Sequence, residues 1–240
     1  MDADLAFALR LADLADSISL PRFRAIDLRV DTKPDLTPVT DADRAVERAV
    51  RELVAAERPG EGVLGEEEGE RDGGGSMRWI VDPIDGTRNF SRGLPVWATL
   101  LALERGGDLV LGVVSAPALG HRWWAVRGGG AFRDGDPIAV SRVTRLEDAV
   151  VSYSEPRRAG VLPAWHERGL GDFWQHVLVA EGAVDVAVDS PLSPWDWAAV
   201  QVVVEEAGGA VSAADGEPPR EAIAIVTSNG LLHAQALARL

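Results

Sequence analysis

The segment "RWIVDPIDGTRNF", Arg78 to Phe90, restricts the fold more than any other part of the chain. An apolar, strand-like run leads directly into Asp82, Pro83, Ile84, Asp85, Gly86 and Thr87, crowding two carboxylates and a hydroxyl into one turn. Proline restricts the backbone there, and Gly86 permits a shape or a close approach that a side chain would block. Alone, Asp-Gly is a common hairpin signal, and a surface turn is the plainest reading. The rest of the chain argues against it. Three further acids stand at abrupt changes of texture: Asp41 after "TPVT", Glu66 in "GEEEG" and Asp196 in "SPWDWAA". Clustered carboxylates repel one another and resist desolvation, a conflict that bound cations relieve. With neutral oxygens nearby and no His or Cys at ligand spacing, the set suits Mg²⁺.

Composition narrows the partners. A formal net charge of -14 repels nucleic acid and anionic membranes, which are bound mainly through clustered Lys and Arg. It also repels phosphorylated metabolites unless bound cations reverse the local field. The chain has no cysteine, which removes disulfides, thiolate zinc sites and cysteine nucleophiles and fits a reducing cytoplasm. "MDADLAFALRLADLADSISL" carries acids before any base and lacks the apolar core of a signal peptide, and no uncharged apolar run nears the ~18 residues of a membrane span. The expectation is a soluble, cytoplasmic protein.

Hydrophobic spacing predicts an amphipathic helix with Leu5, Leu9, Ala12 and Ala15 on one face. A second, with Val46, Ala49, Val50, Leu53 and Val54, is opened by Thr40 or Asp41 and stopped by Pro59-Gly60. From Gly62 to Val140, short apolar runs divided by Gly106-Gly107 and Asp134-Gly135 predict hairpins of a largely antiparallel sheet. After about Thr144 strands and helices alternate, which predicts a layered α/β half packed on the first. The expected division is 1–142, an α+β subdomain carrying most metal ligands, and 143–240, an α/β subdomain completing the site. "GERDGGGS" and "ADGEPPRE" read as loose loops, and "ERAVRE" and "EEEGER" as solvated faces apart from Glu66, with Glu67 an acid behind it.

His121, His166, His176 and His233 match no zinc spacing and read as structural. "GGGS" lacks the end of a P-loop and "RGGGAF" lacks GxGxxG. Trp123, Trp124, Trp195 and Trp197 have no basic stripe beside them and read as core or interface aromatics.

"LTPVTDAD", "GEEEG", "WIVDPIDGTRNF" and "PWDWAA" followed by "VVVEEAGG" resemble, in order and spacing from about Leu36 to Gly209, the signatures of the inositol monophosphatase superfamily of magnesium-dependent, lithium-sensitive phosphatases. The resemblance implies a layered α-β-α-β-α sandwich of mixed α+β and α/β character, a homodimer, and two or three Mg²⁺ ions. It also implies roles. Glu66, Asp82, which would bridge two ions, and the Ile84 carbonyl resemble ligands of the metal site, and Asp85 and Asp196 those of a second ion. Thr87 and Asp41 resemble the pair that orients the attacking water, with Glu66 beside them, and the N–H groups of Gly86 and Thr87 would hold phosphate. Lys33 stands for the family's upstream basic residue, closer to the aspartate than in the inositol enzymes.

"TKPDLTPVTDAD", "RWWAVRGGGAF" and "GDFWQHVLVAEGAVDVAVD" most resemble the actinobacterial histidinol-phosphate phosphatase branch. Its substrate carries an ammonium and an imidazole, so the pocket should offer acids beyond the metal ligands; Asp189 and Asp172 are the candidates. Their plain readings are a solvated strand end and a helix-start acid. The same chemistry on inositol phosphate or other small esters is the alternative reading, and a non-catalytic, metal-binding interaction protein is a third.

Overall fold

The structure is a computed structural model that describes residues 3–154, 160–220 and 224–240, with Ser190 and Pro191 described by their backbone only. It opens with α1 (Ala3–Arg22), the hairpin β1 (Val30–Thr32) and β2 (Pro38–Thr40), and α2 (Asp41–Glu57). Next come β3 (Gly62–Gly65), β4 (Gly69–Arg71), β5 (Met77–Asp85), the short α3 (Thr87–Ser91), β6 (Ala98–Arg105), β7 (Asp108–Ala116), β8 (His121–Val126), β9 (Ala131–Arg133) and β10 (Asp136–Ile138). The remainder contains β11 (Val150–Tyr153), β12 (His166–Arg168), α4 (Asp172–Ala180), β13 (Val186–Pro191), α5 (Pro194–Glu206), β14 (Ala210–Ala213), β15 (Ala224–Ser228) and α6 (His233–Leu237).

Two sheets result, eight-stranded in the order β10-β9-β8-β7-β6-β5-β3-β4 and five-stranded in the order β12-β11-β13-β15-β14. The expected meander runs from β5 to β10, and its β6–β7 and β9–β10 turns are two-residue loops with positive φ at Gly106, Gly107, Asp134 and Gly135. Three elements lie outside the sequence expectation: the β1–β2 hairpin, β12, and β4, which pairs the first residues of the supposedly loose "GERDGGGS". The strand expected at "AIAIVTS" is present from Ala224; its first two residues lie outside the described residues.

Alternation along the central strands explains the layers. Trp79 and Val81 of β5, with Leu101 and Leu103 of β6, pack against α1 and α2. Ile80, Leu100 and Ala102 face the other way, into a core with Phe173 and Val177 of α4 and Val200 and Val203 of α5. The opposite side of α4 and α5 meets the second sheet, whose far face is closed by α6 through Leu232 and Ala236. The order is α-β-α-β-α, with strands buried on both faces and therefore apolar almost without interruption.

The helical faces differ in detail from their expected stripes. In α1 the fully buried stripe is Phe7, Ala8, Leu11, Ala12 and Ala15, leaving Leu5 and Leu9 half-covered at its border. In α2 the buried side also includes Asp43, Glu47 and Arg51, so "ERAVRE" is not the solvated face its charge suggests. No helix among the described residues is long and apolar enough to cross a membrane.

One irregularity of β5 governs the site. Asp82 pairs with Leu100 and Asp85 with Ala98, so β5 spends one residue more than β6 over this stretch. In a regular strand, residues three apart point to opposite faces; the bulge restores a shared face for Asp82 and Asp85. The Thr99 hydroxyl donates to the Pro83 carbonyl at 2.8 Å and closes the bulge inside the core. Replacing Thr99 with Val should therefore cost about 1–3 kcal/mol in urea unfolding and also lower turnover measured on the folded protein; a loss of stability alone would separate the bulge from the site.

Candidate metal centre

Glu66, Asp82, Asp85, Asp172 and Asp196 line one cleft of about 160 Å³, together with Ile84, Gly86, Thr87, Arg88 and the edge of the β1–β2 hairpin. One oxygen each from Asp82, Asp85 and Asp196 lies within 4.8 Å of the others. Each of these acids is oriented by a backbone N–H on one oxygen. Asp82 Oδ1 accepts from Ile84 N at 2.9 Å, Asp85 Oδ2 from Phe173 N at 2.6 Å and Asp196 Oδ2 from Ser193 N at 2.7 Å. The remaining oxygen of each accepts no hydrogen bond among the described residues. "SPWD" thus serves twice: Ser193 caps α5, Pro194 begins it, and Asp196, two residues further on, returns a bond to the cap while facing the cleft.

Charge accumulates here without a compensating cation between the three. Burial first, then the charges of Glu66 and Asp85, push Asp82 well above the usual carboxylate range; burial and then Asp172 do the same for Asp85. Burial raises Asp196 to about 7. A donor set of oriented oxygens, with nothing softer than oxygen in it, fits hard divalent ions. Glu66 lies at the rim with Lys33, which projects from the β1–β2 connection and reaches Glu66 at 2.7 Å and Glu67 at 2.5 Å. Burial alone would lower the Lys33 ammonium, but the two carboxylates outweigh it and hold it above the usual lysine range. Glu67 is raised to about 7 by burial despite the Lys33 contact.

The Thr87 hydroxyl corrects one sequence expectation. Its acid is Asp43, whose Oδ1 lies 3.1 Å away, while the Ile84 carbonyl, the expected backbone ligand, lies at 2.9 Å. Asp41 points elsewhere, with Oδ2 accepting from Arg22 at 2.8 Å. The reason is local: Thr40 is the N-cap of α2, and Asp43, at the third helical position, returns to the Thr40 N–H at 2.8 Å. That spacing is the capping-box signature, and it was the available signal for which aspartate turns inward. Burial raises Asp43 to about 6. Gly86, at φ 81°, turns β5 into α3.

Asp172 and Asp189 are placed differently. Asp172 lines the cleft at the start of α4 with φ 48°, its Oδ2 accepting from Asn89 at 2.9 Å, and burial followed by the charge of Asp189 raises it to about 6. Asp189 is 4% exposed and lies behind the cleft wall, where Oδ2 accepts from Gln175 at 2.7 Å and meets His176 Nε2 at 3.3 Å. Asn89, which links Asp172 to the Val96 carbonyl, carried no signal in the sequence. None of the histidines joins the carboxylate group; His121, His176 and His233 are held by Asp134, Thr227 and Ser228, respectively.

The whole chain, residues 1–240, matches the inositol monophosphatase family. It belongs to that family. Among its relatives, a histidinol-phosphatase of Mycobacterium tuberculosis is 51% identical over 99% of this chain and 97% of its own length, and one from Streptomyces coelicolor is 46% identical over 99% and 96%. A solved inositol monophosphatase of Thermotoga maritima superposes with a TM-score of 0.90 at 32% identity, covering 99% of this chain and 96% of that one. Both sheets and all three helical layers are therefore those of the inositol monophosphatase fold.

Two expectations follow. Asp43→Asn, which keeps the shape of the cap, should lower kcat about 100-fold, whereas Asp41→Ala should leave it within about twofold; steady-state kinetics on both variants separates the two aspartates. The second concerns protons. The metal-free fold holds Asp196 at about 7 against an ordinary 3.8, so it loses stability as pH rises between those values. Mg²⁺ favours the ionised acids, so the rise in Tm that it produces should grow across the same window, reaching about 5–10 °C at a hundred times Kd. Asp82→Asn should remove most of that rise in scanning fluorimetry.

Proposed function

We propose that the protein is a Mg²⁺-dependent phosphatase that hydrolyses L-histidinol phosphate to L-histidinol and phosphate, by direct attack of water on phosphorus. The observation that carries the substrate is the pair of near-full-length histidinol-phosphatase relatives at 51% and 46% identity; family membership makes the enzyme a phosphoric monoester hydrolase. Cleft chemistry is consistent with a cationic alcohol, since Asp172 adds a carboxylate outside the group of three.

Glu66, Asp82, Asp85, Asp196 and the Ile84 carbonyl would hold the ions. Bound Mg²⁺ would screen the phosphate from the acids, lower the pKa of water and stabilise the departing alkoxide. The N–H groups of Gly86 and Thr87, where β5 turns into α3, orient the phosphate oxygens. As water attacks, Thr87 Oγ1 receives its proton and passes its own to Asp43 Oδ1, a relay that the 3.1 Å contact allows. The P–O bond to the alcohol breaks in line with the attack, and the alkoxide is protonated from solvent. Asp172 faces the ammonium or imidazole of the alcohol, while Asp189 keeps the first turns of α4 in place through Gln175 and His176. Family likeness also supports a cytoplasmic homodimer holding two or three Mg²⁺ ions per chain.

Phosphate release with Mg²⁺ tests the reading directly. kcat/KM for L-histidinol phosphate should exceed that for inositol 1-phosphate by at least about 100-fold, the scale of a lost buried charge contact; equal values would leave a broad phosphatase with the same metal chemistry. Asp172→Asn should raise KM for histidinol phosphate about tenfold and leave KM for an uncharged ester nearly unchanged.

A further inference from the structure

The turn that presents Glu66 is gripped from inside the protein by a residue the reaction does not use. Glu47, fully buried on α2, accepts the Glu67 N–H on Oε2 at 2.7 Å and the Glu68 N–H on Oε1 at 2.9 Å. Arg51, one turn further along α2, donates twice to Oε1, at 2.9 and 2.7 Å, and extends to the Gly69 carbonyl. Gly65 completes the arrangement: a Cβ there would stand 2.2 Å from Glu47 Oε1, so the carboxylate fills the space of the missing side chain.

A buried ion pair is poor value for stability alone, because well-packed apolar residues usually serve as well. α2 already buries Val46, Val50 and Val54 against the sheet. What apolar residues cannot do is accept two successive N–H groups and so fix the direction of the backbone. Glu66 is bound on both sides, its own N–H donating to Val81 O at 3.3 Å and the next two held by Glu47. Its carboxylate therefore reaches the cleft without a search over backbone conformations. Side chains that hold a metal ligand in place tune affinity as well as shape.

We infer that Glu47, backed by Arg51 and by the absence of a side chain at Gly65, is a positioning residue that sets the affinity of the Glu66 subsite for Mg²⁺. The inference rests on Glu66 being a metal ligand, as in the function proposed above. Glu47→Gln keeps the volume but turns an N–H₂ toward a backbone N–H; Gly65→Ala pushes the carboxylate away from the other side. Calorimetric titration of Mg²⁺ into the metal-stripped full chain, paired with the Mg²⁺ dependence of phosphate release, reads both variants. Kd and the half-saturating Mg²⁺ concentration should rise roughly 10- to 100-fold, with circular dichroism unchanged and kcat at saturating Mg²⁺ within about threefold. The exposed control Glu52→Ala should bind as the parent does. Parental Mg²⁺ affinity in the two folded variants, or loss of folding in both, overturns the inference. A parent protein that binds no Mg²⁺ removes the metal reading itself and this inference with it.

Discussion

Repulsion among buried carboxylates is the constraint around which the rest of the structure is arranged. Asp82 is 1% exposed and Asp85 9%, and both face Asp196 across a few ångströms. Such a group destabilises the protein that contains it unless a cation joins it, and the surrounding fold is correspondingly apolar and layered. Strands buried on both faces supply the hydrophobic free energy, and short polar contacts to backbone N–H groups orient the acids. The active centre is thus a strained region carried by an otherwise conventional core.

Polar groups at this centre do two things at once. Asp196 caps α5 and faces the cleft; Asp43 caps α2 and holds Thr87; Asp85 receives the first turn of α4 and joins the carboxylate group. Helix starts have N–H groups without intrahelical partners, and an acid placed there answers that need while keeping an oxygen free. The result is economical in sequence, and it ties the direction of three helices to the geometry of one cleft.

Much of this was legible in the chain. The closeness of Asp82 and Asp85, the acids at Glu66 and Asp196, both early helices and the two-residue hairpins follow from spacing and residue type, although the turn expected at Asp82 is a bulge within β5, which runs on to Asp85. Other features were hidden for physical reasons. A bulge changes parity by one residue and leaves no mark in the apolar pattern, so the shared face of Asp82 and Asp85 arises only from the way β5 pairs with β6. Asp41 and Asp43 differ only in which side of one helical turn they occupy, and the capping box decides between them. Glu47 and Arg51 look like solvent charges because burial of a pair depends on partners 18 to 21 residues away. The burial of Asp189 was equally hidden, since Gln175 and His176, which meet its carboxylate, come from a helix whose packing is tertiary.

The bond from Phe173 to Asp85 joins positions 88 apart in the chain, and Asp196 lies further on still. Asp82 and Asp85 are therefore shut from water by elements that lie far along the chain from β5. The same segment that brings Asp196 also brings the apolar faces of α4 and α5 that exclude water from the cleft. The third acid of the group and the packing that buries the first two thus stand or fall together.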